Sequence, residues 1–274
     1  MDVVVIPTHE RPELLWLCLE KIAACSDIPE QIWISEDFHI DNPKPPMVAY
    51  EVEQTVEYAK RILPGVRHIR REHSNHGSSF NVLESFREAC QTDARYVFFI
   101  EDDTMVTQDF FRWSRAAQEK FHPFATCSNY LPRERSQHPE DCAISDTWLQ
   151  TFGMSFEREK LSHTMLPDYA DYGLQPQFEW DAWMMKYIRL NGLYSVSACL
   201  RRGYHFGFYS YHAGGDGLRG DLASRVQQVR AGLSNPSLLR TGGSQNQIFP
   251  YPEGNTNYQW TELRKRTSSV RRLA

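Results

Sequence analysis

Residues 96–103 read Tyr-Val-Phe-Phe-Ile-Glu-Asp-Asp, so that four or five apolar residues run straight into three carboxylates. A continuous apolar run that breaks off at a sharp change of polarity reads as a strand buried on both faces, ending where a sheet meets solvent. Three acids at such an exit, Glu101, Asp102 and Asp103, repel one another unless a cation or its ligand neutralises them. Hard oxygen donors favour Mg²⁺ or Mn²⁺, ions that commonly hold diphosphates. A solvated acidic turn capping the next helix is the competing reading; the metal site is preferred.

Upstream of this strand the pattern alternates. Strands are expected over 3–6, 31–35 and 66–70, and helices over 13–24, 48–63 and 81–90. Alternation of this kind is the signature of a parallel sheet with right-handed crossovers, whose ligands bind beyond the carboxyl ends of the strands. The loop from Thr8 to Arg11, the pair Glu36-Asp37 and the acids 101–103 all fall at those ends, so topology brings them to one site. The second half is less regular. A helix is expected over 109–121, a strand over 124–128, a polar loop over 131–146, a helix over 181–191 closed by Gly192, and a strand over 194–199. Leu14, Leu17, Cys18 and Ile22 form one apolar face of the first helix, and Leu190 is among the apolar positions of the later one. Glycine clusters at 214–217 and 242–243 read as mobile loops, and 261–274 as a solvated basic tail with weak attachment to anionic membranes as the minority view.

Composition narrows the function. A chain of 274 residues, 41% hydrophobic and 13% aromatic, buries a real core. Its net charge of −5 argues against a nucleic-acid partner. The apolar run 3–6 is too short for an export signal or a membrane span, which points to a soluble cytoplasmic protein. Six scattered cysteines include no CxxC pair, so zinc-site spacing is absent and the thiols read as small core residues. No GxGxxG follows the first strand, no phosphate-binding GxxxxGK[ST] loop occurs, and no GxSxG elbow is present.

The remaining polar residues suit a nucleotide. Asp37 could accept from a uracil N3–H or a ribose hydroxyl, and the fork of Arg11 suits a base carbonyl or a phosphate. An ordinary capping Asp and a surface Arg explain them equally well. In residues 178–184, Phe-Glu-Trp-Asp-Ala-Trp-Met, acids stand among aromatic residues, where partial desolvation raises a carboxylate's basicity. A helix start with dipole-favoured acids and core tryptophans is an equal alternative.

Together these segments resemble the glycosyltransferase-A superfamily of nucleotide-diphospho-sugar enzymes. More narrowly, the chain is similar to the N-acetylglucosaminyltransferase I and protein O-mannose N-acetylglucosaminyltransferase group. The resemblance rests on Val4-Val5-Ile6 with Glu10-Arg11, Ile34-Ser35-Glu36-Asp37, and Phe99-Ile100-Glu101-Asp102-Asp103 continuing to Asp109-Phe110-Phe111. It extends to Trp180-Asp181-Ala182-Trp183-Met184 and Tyr204-His205-Phe206-Gly207, spanning residues 3 to about 212 in order. It implies a single α/β domain over 1–260, a Rossmann-like, mostly parallel central sheet flanked by helices. A smaller subregion would lie on the acceptor side; residues 1–103 would form the nucleotide-binding half and 104–260 the acceptor half, with a glycine-rich lid near 207–220.

The function so implied is a metal-dependent inverting transfer from a UDP-sugar, GlcNAc-like by preference, to a glycan or glycoconjugate hydroxyl. Asp103 would bind Mn²⁺ or Mg²⁺, Glu101 and Asp102 would hold sugar and ribose, and Thr8, Arg11, Asp37 and His205 would complete the donor site. Asp181 would be the general base and Glu179 the runner-up. Residues 73–77, His-Ser-Asn-His-Gly, depart from the group and look more like the Asn-x-Gly loop of bacterial relatives. With no anchor or stem visible, this favours a bacterial or viral origin. Cys127 and Cys199 lie where the resembled Golgi enzymes carry a cross-linked pair, implying bridging reach but free thiols here; two unrelated core cysteines are the alternative. The rival functions are a nucleotidyltransferase or sugar-nucleotide pyrophosphorylase, whose glycine- and lysine-rich first loop is missing from residues 7–12, and a non-catalytic sugar-nucleotide-binding protein.

Overall fold

Val3, Val4, Val5 and Ile6 are all wholly buried, because their strand, β1 (Val3–Thr8), lies inside the sheet with a neighbour on each side. The computed structural model describes residues 1–41, 43–73, 78–128, 142–146, 149, 151–165, 179–198, 202–206, 218–233 and 261–264. After β1 come α1 (Pro12–Ala23), β2 (Gln31–His39), α2 (Pro46–Ile62), β3 (Val66–His73), α3 (Ser78–Cys90) and β4 (Tyr96–Phe99). The chain continues through β5 (Thr104–Val106), α4 (Phe110–Phe121), β6 (Ala125–Cys127), β7 (Cys142–Asp146) and β8 (Met154–Glu157). A helical turn, Arg158–Lys160, runs into a π-helical segment, Leu161–Met165; α5 (Trp180–Leu190), β9 (Ser195–Ala198), β10 (Gly203–His205), α6 (Leu222–Leu233) and β11 (Thr261–Arg264) follow.

Among the described residues, nine strands form one sheet in the order β11-β7-β9-β6-β8-β4-β1-β2-β3, and β10 pairs with β5 in a separate ribbon. The half from β4 to β3 is parallel throughout. Antiparallel pairing enters at β8, which lies between β4 and β6, and again between β7 and β9. The sheet is thus mostly parallel and mixed on one side, the α/β architecture the alternation leads one to expect.

Side chains alternate across it. Val3, Val5, Trp33, Val97 and Phe99 meet Leu83 and Phe86 of α3 and Trp180, Met184 and Ile188 of α5. Val4, Ile6, Ile32, Ile34 and Phe98 meet Leu15, Cys18, Leu19 and Ile22 of α1 with Val56 and Ala59 of α2. Truncating a ring such as Phe86, wholly buried between layers, costs about 3–5 kcal/mol. α1 carries a second apolar stripe: Leu14 and Leu17 pack against Leu222, Val226 and Val229 of α6. Arg225 reinforces that contact by pairing with Glu13 at 3.4 Å and with Glu51.

Several expectations change. Glu36 and Asp37 lie inside β2, which pairs in register with β3 from Ile32↔Val66 to His39↔His73. The strand continues past its apolar part because its acids find partners across the ladder. Residues 142–146, expected within a polar loop, form β7, and 261–264, assigned to the basic tail, form β11 parallel to it. Leu190, among the apolar positions of this helix, is 75% exposed at the end of α5. Gly192 does take the left-handed conformation that closes the helix, at φ +63°. Among the described residues, no helix is long and apolar enough to cross a membrane. The 74–77 loop, most of the 207–220 lid, Cys199 and residues 265–274 fall outside the described residues.

Candidate active site

The carboxyl ends of β1 and β4 are tied together by side chains. Thr8 Oγ1 donates to Asp102 Oδ2 at 2.8 Å, both groups buried. Arg11 precedes α1 and forks, donating from Nη2 to Asp102 Oδ1 and from Nη1 to Asp103 Oδ2. A guanidinium meets paired carboxylates this way because its donors are planar and fixed.

The ribbon supplies the third side. His205 Nε2 lies 3.1 Å from Asp103 Oδ2, and the Phe206 N–H donates to the Asp103 carbonyl at 2.8 Å. Phe152 stacks on the imidazole with centroids 4.5 Å apart and fixes its plane. One ligand atom each from Glu101, Asp103 and His205 lies within 4.8 Å of the others, a spacing that admits a metal ion. Asp103 is 3% exposed, and its Oδ1 has no hydrogen-bond partner among the described residues. A buried carboxylate oxygen left bare costs free energy unless something else satisfies it.

Charge is divided unevenly in the cluster. Burial pushes the Glu101 carboxyl up to about 7, helped by repulsion from Asp103 and opposed by His205. Burial also takes Asp102 up to about 6 against the pull of Arg11. For Asp103 burial works upward too, but the hydrogen bond with His205 and the charge of Arg11 outweigh it and hold the group below its ordinary value. His205 is raised: burial opposes this, and its bond to Asp103 wins.

A cavity of about 220 Å³ opens beside the acids. Thr8, Arg11, Asp37, Glu101 and Asp102 line it, with Asn81 and Trp180. Five residues expected at the donor site therefore share one cavity, and Asp103 and His205 adjoin it through Arg11 and Glu101. Asp37 is held from behind by His73 Nε2, while His9 Nδ1 lies 3.2 Å from its carbonyl. Asn81 donates to the Ser35 carbonyl at 2.8 Å and packs under the floor. Asp181 and Glu179 flank Trp180 at the start of α5, the first partly buried and the second exposed; the cavity lining includes neither. Asp181 Oδ1 accepts from the Ala182 N–H at 2.7 Å.

His73, His9 and Asn81 are site residues that the sequence reading did not assign. The signal for His73 is period two: with β2 and β3 parallel and in register, Ser35, Asp37, Arg71 and His73 fall on one face.

A parallel-centred sheet with acids at the exit of an inner strand and a cavity at the carboxyl ends defines a glycosyltransferase-A-like fold. The chain is similar in structure to S. aureus TarS. Against TarS 1-349 the TM-score is 0.53 at 11% identity, covering 77% of this chain and 62% of that one. Against TarS 1-349 in complex with UDP it is 0.51 at 12%, covering 75% and 60%. A longer TarS structure gives 0.50 at 11%, covering 85% and 40%. The chain thus spans 40–62% of these proteins, and at such identity the likeness is one of fold. No protein-family model and no curated protein sequence matches the chain. The narrower N-acetylglucosaminyltransferase I group rests on the motifs alone.

Proposed function

We propose that this protein is a glycosyltransferase that uses a UDP-sugar donor and transfers the sugar, with inversion, to a hydroxyl of a glycan or glycoconjugate. The observation that carries the reading is the convergence of Thr8, Arg11, Asp37, Glu101 and Asp102 on one cavity at the carboxyl ends of the strands. Asp37, fixed by His73, offers a uracil or ribose acceptor, and Arg11 offers a phosphate-matching fork. The UDP-bound TarS structure of similar fold supports a UDP donor, and the motif resemblance supports a GlcNAc-like sugar.

The acid site fits a divalent cation. Glu101, Asp103 and His205 would hold it, and the bare Asp103 Oδ1 is the oxygen it would satisfy. Two carboxylates and an imidazole suit Mn²⁺ better than Mg²⁺, which prefers oxygen alone. Such an ion supplies positive charge against the developing diphosphate leaving group. Asp102, held by Thr8 and Arg11, is a rigid acceptor for a ribose or sugar hydroxyl. Asp181 is the residue to deprotonate the acceptor, with Glu179 the alternative; Trp180 between them brings the helix start to the cavity wall.

A panel of nucleotide sugars assayed with and without Mn²⁺ tests the reading. Turnover confined to UDP-sugars and dependent on Mn²⁺ is expected. Equal use of ADP-, GDP- and UDP-sugars, or no turnover of any, would refute it.

A further inference from the structure

The three carboxylates of Glu101, Asp102 and Asp103 already have a cation among them, and it belongs to the chain. Arg11 spans Asp102 and Asp103, which are 1% and 3% exposed. The two oxygens of Asp103 are unequal: Oδ2 carries both Arg11 and His205, whereas Oδ1 carries no partner among the described residues. A divalent ion held by Glu101, Asp103 and His205 would share the Asp103 carboxylate with the guanidinium. With the aspartates buried, water screens that adjacency of positive charges only in part, and it is unfavourable.

Arg11 has somewhere to go. It follows the loop that leaves β1, its backbone is not yet helical (φ −128°, ψ 60°), its side chain keeps 26% of its exposure, and it lines the cavity. We infer that Arg11 is a resident counter-ion that exchanges: it occupies the aspartates when the site is empty and turns to the donor's diphosphate as the divalent ion loads. Ion and diphosphate then bind cooperatively, because each favours the same position of Arg11, and the coupling is reciprocal. This rests on the glycosyltransferase reading above.

The test is Mn²⁺ affinity, read by electron paramagnetic resonance on wild type, Arg11→Ala and Arg11→Lys, each with and without UDP, with circular dichroism checking the fold. Without UDP, Arg11→Ala should bind Mn²⁺ roughly tenfold more tightly than wild type. The gain in Mn²⁺ affinity on adding UDP should shrink in the same variant. Arg11→Lys keeps the charge but not the fork, so it should fall between the two; identity with wild type would mean that charge alone, not occupancy of both aspartates, sets the affinity, and would overturn the exchange. Arg11→Ala binding Mn²⁺ no more tightly than wild type would overturn it too, and if that variant does not fold, Arg11→Lys decides alone. Should wild type bind Mn²⁺ neither with nor without UDP, the metal reading falls and the exchange with it. Should wild type bind Mn²⁺ while both variants match it, only the exchange falls.

Discussion

Asp103 and Asp181 divide the proposed chemistry between them, and single substitutions separate their roles. Asp103→Ala removes the acceptor shared by Arg11 and His205, and with it the bare Oδ1. Calorimetry should show Mn²⁺-dependent UDP binding abolished while the circular dichroism spectrum stays native; retained metal-dependent affinity would remove Asp103 from the site. Asp181 stands apart from the acids, so Asp181→Asn should leave UDP affinity intact and lower transfer by about 10²-fold or more. Glu179→Gln is the partner experiment. If it silences transfer while Asp181→Asn does not, the base is Glu179.

The carboxyl half of β2 shows how much an element can conceal from its sequence. Buried strands such as β1 and β4 are legible because their apolar runs, Val3 to Ile6 and Tyr96 to Phe99, are drawn from the same few residue types. Residues 36–39 are polar apart from Phe38, and their partners make them a strand: Glu36 meets Lys44 at 2.8 Å and His68 at 2.8 Å, and Asp37 meets His73. Those partners come from a loop and from β3, a relation invisible to local periodicity. The same holds for β5, β8 and β10, three or four residues each, too short for a period to register. The site acids were legible because three carboxylates in sequence need no tertiary information; Asn81, beneath the cavity, needed it. The second stripe of α1 merged with the first for want of any sign of α6.

Glu36 also makes the element pH-sensitive. Burial works to raise its carboxyl, but hydrogen bonds from His68 and Lys44 hold it below its ordinary 4.5. A carboxyl lowered on folding stabilises the native state above its unfolded value, and that contribution is lost as pH falls through the lower folded value. Urea melts should therefore show Glu36→Gln less stable than wild type at pH 7 and less steeply destabilised below about pH 4.5. On the ribbon, a Cβ added at Gly203 would sit 2.8 Å from the Phe152 carbonyl and crowd Ser128. Gly203→Ala should cost about 1–3 kcal/mol and weaken Mn²⁺ binding as His205 shifts, which thermal melts with and without Mn²⁺ will show.

At the scale of the whole molecule, the core doubles as a shield for its thiols. Burial pushes Cys25 and Cys90 up to about 12, and takes Cys18 well above its ordinary value with Asp102 and Asp103 adding to the effect. Thiolates are the reactive form, so alkylation of these three followed by mass spectrometry should be negligible in buffer and rise with the urea transition. Rapid labelling of Cys18 in buffer would mean that the layer between α1 and the sheet opens far more readily than its packing allows. The central place of β1 has a consequence for synthesis. Its partners are β2 and β4, and Val5 is matched to Phe99, more than ninety residues later. On a translating ribosome Val3, Val4, Val5 and Ile6 emerge well before β4, so one of their two flanks stays unpaired until β4 has cleared the exit tunnel. For that interval the nascent chain presents a sticky ribbon, a substrate for chaperones and a seed for mispairing between polysome neighbours. Slowing elongation between residues 40 and 95 should therefore lower soluble yield without changing any property of the finished protein.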